Sequence, residues 1–244
     1  MNMDANDKTA QRETNSIKRR PRRTKSDIDI LINKAAERLV KEKGFTKVMV
    51  TEIMAEAGVE PAVFYKRYKK LDDFYVEFVK NYDYWFGEII KKSMSGDDMM
   101  DDVYNMLESL LEYLCDKSIM LEVLRWEIAE SNDITMRTSL LREEHTLPLA
   151  GRYLSHYFGT DVDIVAWVSL MIGGIYYMCL HKDRAEFCGI DINNPKHVER
   201  LKRTLRVMVD QLRWLVDKKT EKLRIAEKLR KCGVDNEIIK KCME

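Results

Sequence analysis

The stretch "AGVEPAVFYKRY", residues 57–68, sets one glycine, one proline, three aromatic residues and two cations within twelve positions. A glycine at 58 supplies the left-handed dihedrals that a sharp turn between helices needs. Pro61 suits the first turn of a helix, where its missing N–H costs nothing. The pattern predicts a helix from Pro61 to about Tyr68, with positions 61, 64 and 68 on one face. Phe64 and Tyr68 then face the core, and Ala62, Tyr65, Lys66 and Lys69 share the other side. A small residue, a phenol and two ammonium groups make poor core but suit phosphates and base edges. The aromatics are divided: two for packing, one for contact.

Working upstream, Ile28, Leu31, Ile32, Ala35 and Leu39 recur at helical spacing and form one apolar face. This predicts a first helix capped by Ser26 or Asp27 and ended by Gly44. A short second helix follows from Val50 to Ala57, and Ile53 and Val59 fill the space between it and the third. Three short helices in close succession behind the basic run "KRRPRRTK" match a helix-turn-helix domain, in which the third helix enters the major groove. Residues 1–25 read as a disordered basic arm. Its Arg19, Arg20, Arg22 and Arg23 suit the minor groove beside such a domain.

Charge follows the same division. Between Ile17 and Lys70 there are fifteen Lys and Arg against seven Asp and Glu, a local net of +8; the whole chain carries +1, so the remainder carries −7. A basic head on an acidic body implies that only the head meets a polyanion. At 244 residues, 45% apolar and 34% charged, the chain can bury a substantial core behind a solvated surface. With ten glycines and four prolines, and runs rich in Leu, Glu, Lys, Ala and Met, it reads as all-α.

Several classes fall away. The five cysteines, at 115, 179, 188, 232 and 242, form no C-x-x-C pair, and no histidine stands at ligand spacing from them. They read as reduced cytoplasmic thiols, with a redox-sensing pair as the minority alternative. No signal peptide is expected from the polar start, Met1 to Thr14. The uncharged run Ile164–Leu180 is 17 residues long, short of the roughly 20 a membrane span needs, and reads as a buried helix of a helical core. There is no G-x-S-x-G, P-loop, glycine-rich dinucleotide turn or H-E-x-x-H, so no enzyme, cofactor or metal is expected.

Downstream, a long amphipathic helix is predicted from about Leu71 to Ser93, then helices near 97–116, 118–131, 133–158, 162–182 and 196–218. The helix-turn-helix domain takes residues 26–70 and a helical body 71–218. Residues 219–244 form a charged helical tail, with a small hairpin around Gly233. Aromatic and sulfur-bearing side chains gather in the body: Tyr82, Trp85, Phe86, Tyr104, Trp126, Trp167 and Tyr177, with Met106 and Tyr176. Together they suggest a pocket for a small apolar or aromatic effector, oriented by His145, Arg125 or Glu127.

The stretch from Asp29 to Phe78 resembles the N-terminal domain of the tetracycline-repressor (TetR) family of bacterial regulators. The matching pieces are "AAERLVKEKGF", the V-x-x-I at Val50–Ile53, "AGV" at 57–59, and "FYKRY" followed by Lys70 and Leu71. The resemblance implies phosphate contacts at Tyr65 and Lys66, and base edges approached by Glu60, Pro61 and Ala62. It further implies a C-terminal half that dimerises through its last two long helices and encloses a ligand, so that a homodimer reads a palindromic operator in double-stranded DNA, usually as a cytoplasmic repressor. Three positions depart from the family pattern. Met49 replaces the small hydroxyl residue that caps the second helix, a role Thr51 can take. Met54 replaces an alanine, and Glu60 a Ser or Thr cap. Two alternatives stand beside this reading: a constitutive architectural DNA-binding protein without an effector, and a helical adaptor whose basic head binds another polyanion.

Overall fold

The computed structural model describes residues 24–94, 97–116, 118–154 and 163–243. These residues form eleven α-helices and one 3-10 turn, with no strand among them. The arm and its arginines 19, 20, 22 and 23 lie outside the described residues.

Helix α1 spans Lys25–Lys43. Its cap is Thr24, two or three residues earlier than the Ser26 or Asp27 expected from the sequence: the Thr24 hydroxyl accepts from the Asp27 N–H at 3.1 Å, and the Asp27 carboxylate accepts from the Thr24 N–H at 2.9 Å. This reciprocal pair satisfies two of the amides that a helix start leaves open. Gly44 ends the helix, and a 3-10 turn at Phe45–Lys47 leads into α2, Val50–Ala57. Helix α3 is Pro61–Tyr65, shorter than predicted; beyond it, bonds from Arg67 and Tyr68 to the Phe64 carbonyl turn the chain toward α4.

The single long helix expected over 71–93 is two helices, α4 at Leu71–Lys80 and α5 at Trp85–Ser93. The break has a local cause. The Asn81 side chain donates to the Phe78 carbonyl at 3.0 Å, and the amides of Asn81, Tyr82 and Asp83 each reach back only three residues. Short polar side chains that bond nearby carbonyls compete with the helical ladder. Asp83 is then held by Arg137.

The body continues with α6 (Met99–Asp116), α7 (Ser118–Ala129), α8 (Asp133–Leu154), α9 (Ile164–His181), α10 (Pro195–Lys231) and α11 (Asn236–Met243). No break separates body from tail at 218. Helix α10 runs unbroken for 37 residues, about 55 Å at the usual rise. The stretch through 219 holds no glycine or proline and adds ion pairs along the helix, Glu221 with Arg224 and Glu227 with Lys231. The turn at Gly233, with φ of +82°, sets α11 back against it, burying Ala226 and Ile239.

One apolar core runs from Ile32 in α1 to Val216 in α10. Head and body are joined where Phe45 stacks on Trp126 of α7, with ring centroids 4.4 Å apart and planes 10° from parallel. Helix α9 departs from the buried core helix expected of its composition. It buries Ile164, Ile175, Cys179 and Leu180, whereas Ala166, Leu170, Gly173, Gly174 and Tyr177 are exposed. It is long and apolar enough to cross a membrane, yet its buried side packs on α6, α7 and α8.

Candidate nucleic-acid interface and body cavity

The turn between α2 and α3 is built on Gly58, at φ +58° and ψ +44°. Its amide bonds the Ala55 carbonyl, and the Val59 amide bonds the Met54 carbonyl at 3.0 Å. No atom lies within 4 Å of a Cβ placed there, so the backbone angle, not crowding, selects glycine. Met49 caps α2 without a side-chain acceptor; instead the Glu52 carboxylate accepts the Met49 N–H at 3.1 Å. Glu52 also pairs with Lys43 at 2.6 Å, and Arg38 pairs with Glu56 at 2.6 Å, fixing α2 across α1. The Lys43 hydrogen bond holds the Glu52 carboxyl below its ordinary range.

Helix α3 divides as its spacing requires. Phe64 is fully buried and Tyr68 half-buried, with Phe74 close to both rings. Pro61, Ala62, Tyr65, Lys66 and Lys69 are exposed, and so are Thr51 on α2 and Glu60 at the α3 cap. Arg67 turns inward instead, bonded to Asp29 of α1 at 2.8 Å. Lys70 pairs with Asp72. Among the described residues Lys66 and Lys69 have no ion partner, so their charge is directed to solvent. The Asp73 carboxylate accepts the amides of Lys69 and Lys70 at 3.1 and 3.2 Å, tying the end of this surface to the start of α4. An exposed phenol and two uncommitted ammonium groups on and just after a helix tied to α1 by the Arg67–Asp29 pair have the chemistry of a phosphate-contacting surface.

Residues 32–77 match the family described as bacterial regulatory proteins, tetR family. The chain carries the DNA-binding domain of the TetR family. Solved structures share the overall fold. A TetR-family transcription regulator from Marinobacter aquaeolei VT8 is 15% identical at a TM-score of 0.54, over 74% of this chain and 94% of that one. FadR of Bacillus subtilis, crystallised with stearoyl-CoA, is 16% identical at 0.54, over 72% and 96%. The fatty acid degradation regulator FadR of Bacillus halodurans is 17% identical at 0.54, over the same shares. No match was found among curated proteins. The matched domain supports a DNA-binding regulator, and the solved structures show that the chain shares the fold of such regulators.

Its body holds a cavity of about 430 Å3 between α5, α6, α8 and α9. The walls are apolar, formed by Phe86, Val103, Met106, Ile164, Val168 and Ile172, with polar groups from Ser139, Arg142, Glu143 and Thr146 along α8. Arg142 binds Glu127 of α7 through both carboxylate oxygens. Burial opposes the charge of Arg142, but the hydrogen bond and charge of Glu127 outweigh it and stabilise the guanidinium. The Tyr176 ring lines the cavity, while its hydroxyl is buried without a hydrogen-bond partner among the described residues. Burial pushes that phenol far above its ordinary value.

The aromatic residues expected to share one pocket are spread over the body, apart from Tyr82 and Trp85, which line one small cleft with Glu127 and Arg142. Of the seven, only Phe86 lines this cavity. Trp126 stacks on Phe45 and donates to Glu130 at 2.9 Å, serving the joint between head and body. Trp85 stacks on Tyr113, and Tyr82 packs on Phe78. Tyr104 bonds Glu108 beneath the Arg206 guanidinium. Trp167 is half-buried against the core, and Tyr177 stands outside against His181 and Phe187. Arg125 is committed to Glu122, Asp183 and the Leu180 carbonyl; Glu127 is committed to Arg142, and His145 lies against Tyr84 and Gly87. The lining group that sequence reasoning missed is the α8 face of Ser139, Arg142, Glu143 and Thr146. Its i, i+3, i+4, i+7 spacing was the available signal, obscured because the residues are polar and the usual search is for apolar periodicity.

Proposed function

We propose that this protein is a homodimeric, ligand-responsive repressor that binds a palindromic operator and is released by a small apolar effector held in the body cavity. The observation that carries this reading is the pairing of an exposed, uncommitted basic face on α3 with a largely apolar cavity in the helices joined to it. Tyr65, Lys66 and Lys69 contact phosphates; Thr51, Glu60, Pro61 and Ala62 approach the bases or the adjoining backbone. Arg19, Arg20, Arg22 and Arg23 of the arm reach the minor groove. Dimerisation uses the open faces of α9 and α10, where Leu170, Tyr177, Val207 and Trp214 are exposed. A soluble cytoplasmic chain would cover such a face, and a two-fold pair presents two recognition helices to successive major grooves. The effector occupies the wall formed by Phe86, Met106, Val168 and Ile172. The similar fold of FadR, which was crystallised with stearoyl-CoA, makes a long-chain acyl compound the first ligand to test.

The test is binding of the full chain to a selected duplex across a salt series, beside anionic vesicles and with an acyl-chain panel. Salt-dependent binding to the duplex, none to vesicles, and release by a compound that also raises Tm support the reading. Vesicle binding without duplex binding points to the adaptor alternative. Duplex binding that no compound disturbs, with no Tm shift, points to a constitutive architectural protein.

A further inference from the structure

The charged groups at the body cavity already answer one another. Among the described residues that line it, Arg142 of α8 is the only cation. Its guanidinium is turned onto Glu127 of α7, Nη1 donating to Oε1 at 3.3 Å and Nη2 to Oε2. The Glu127 side chain is 4% exposed, so little water weakens the pair. Glu143, the other charged residue of the lining, is exposed on α8. The three side chains together bring one positive and two negative charges.

An anionic head group entering this wall gives up its water and finds no free counter-charge, because Glu127 holds both terminal nitrogens of the guanidinium. Burial without a partner is the environment a carboxylate tolerates least. Uncharged polar groups fare differently. The Thr146 hydroxyl donates to the Glu143 carbonyl and the Ser169 hydroxyl to the Val165 carbonyl, each at 2.8 Å. The Ser139 hydroxyl has no partner among the described residues, and the Tyr176 hydroxyl is buried without one. Burial keeps that phenol protonated and hence a donor. A buried donor left unpaired is a cost that a ligand oxygen removes.

We propose that the cavity selects an uncharged amphiphile, an alcohol, ester or amide on an apolar chain or ring, and that the Arg142–Glu127 pair is the element that refuses anions. The inference rests on the ligand-responsive reading and narrows its effector class: an acyl chain is received as an ester or amide, not as a free carboxylate. The chain or ring lies on Phe86, Met106, Val168 and Ile172, and the polar end faces α8 and Tyr176. Glu127 touches no ligand in this arrangement. It is a positioning residue, which acts by holding the Arg142 charge away from the cavity.

The test is titration of the full chain with decanol, decanamide, decanoate and decylammonium at about pH 8, where a carboxylic acid is ionised and an alkylamine protonated. Calorimetry gives Kd, and Tm is read on the same samples. Decanol and decanamide should bind and raise Tm, and decanoate should bind at least about tenfold more weakly. Glu127→Gln leaves the guanidinium uncompensated, so decanoate should gain about tenfold or more and overtake decanol. Circular dichroism checks that variant for folding, and the order of head groups in the unaltered chain decides the matter without it. Decanoate or decylammonium binding the unaltered chain as tightly as decanol, or a folded Glu127→Gln protein with the original order, would overturn the proposal and leave the protein ligand-responsive. No binding by any of the four, with Tm unmoved, would overturn the ligand-responsive reading and this inference with it.

Discussion

At the residue scale, the α3 surface makes two separable demands. Lys66 is exposed and has no ion partner among the described residues, so its role is read through counterions. Lys66→Ala should weaken binding to every duplex alike and flatten the slope of log K against log salt by about one unit. Equal slopes for the two proteins would remove Lys66 from the phosphate surface. Gly58 answers a conformational demand, being left-handed in open space. Gly58→Ala should cost about 1 kcal/mol in urea unfolding; no change would mean that the turn relaxes without strain.

At the element scale, the head was far more legible in the sequence than the body. In residues 26–70 the caps, the glycine and the i, i+3, i+7 rows act within a few positions, so local rules place Phe64 inward and Tyr65 outward. The break between α4 and α5 was hidden because Tyr82, Trp85 and Phe86 continue the apolar rhythm across it, while Asn81 and the distant Arg137 decide the bend. The place of Trp126 was open for a related reason. An aromatic in a body helix suits a ligand pocket equally well, and only the three-dimensional placement of Phe45 shows that it forms the joint. That joint is testable. In a double-mutant cycle, Phe45→Leu and Trp126→Leu should show a coupling of about 0.5–1.5 kcal/mol, whereas strictly additive losses would mean that the stack carries no energy of its own.

At the scale of the whole molecule, α9 and α10 leave Leu170, Tyr177, Val207 and Trp214 exposed, the face that the proposed dimer would cover; composition alone could not divide α9 between core and surface, because interior and interface helices look alike. Leu170→Glu with Trp214→Glu, both exposed positions, should give a monomer by light scattering with unchanged helix content. A persisting dimer would move the interface elsewhere. The account's central claim is that two copies present two α3 helices to one duplex. Its most direct test is selection of bound sequences by the full chain from a randomised duplex library, followed by sequencing. The account predicts an inverted repeat whose half-sites are centred about one helical turn apart or a multiple of it. A single unrepeated site, or enrichment with no sequence preference at all, would contradict it.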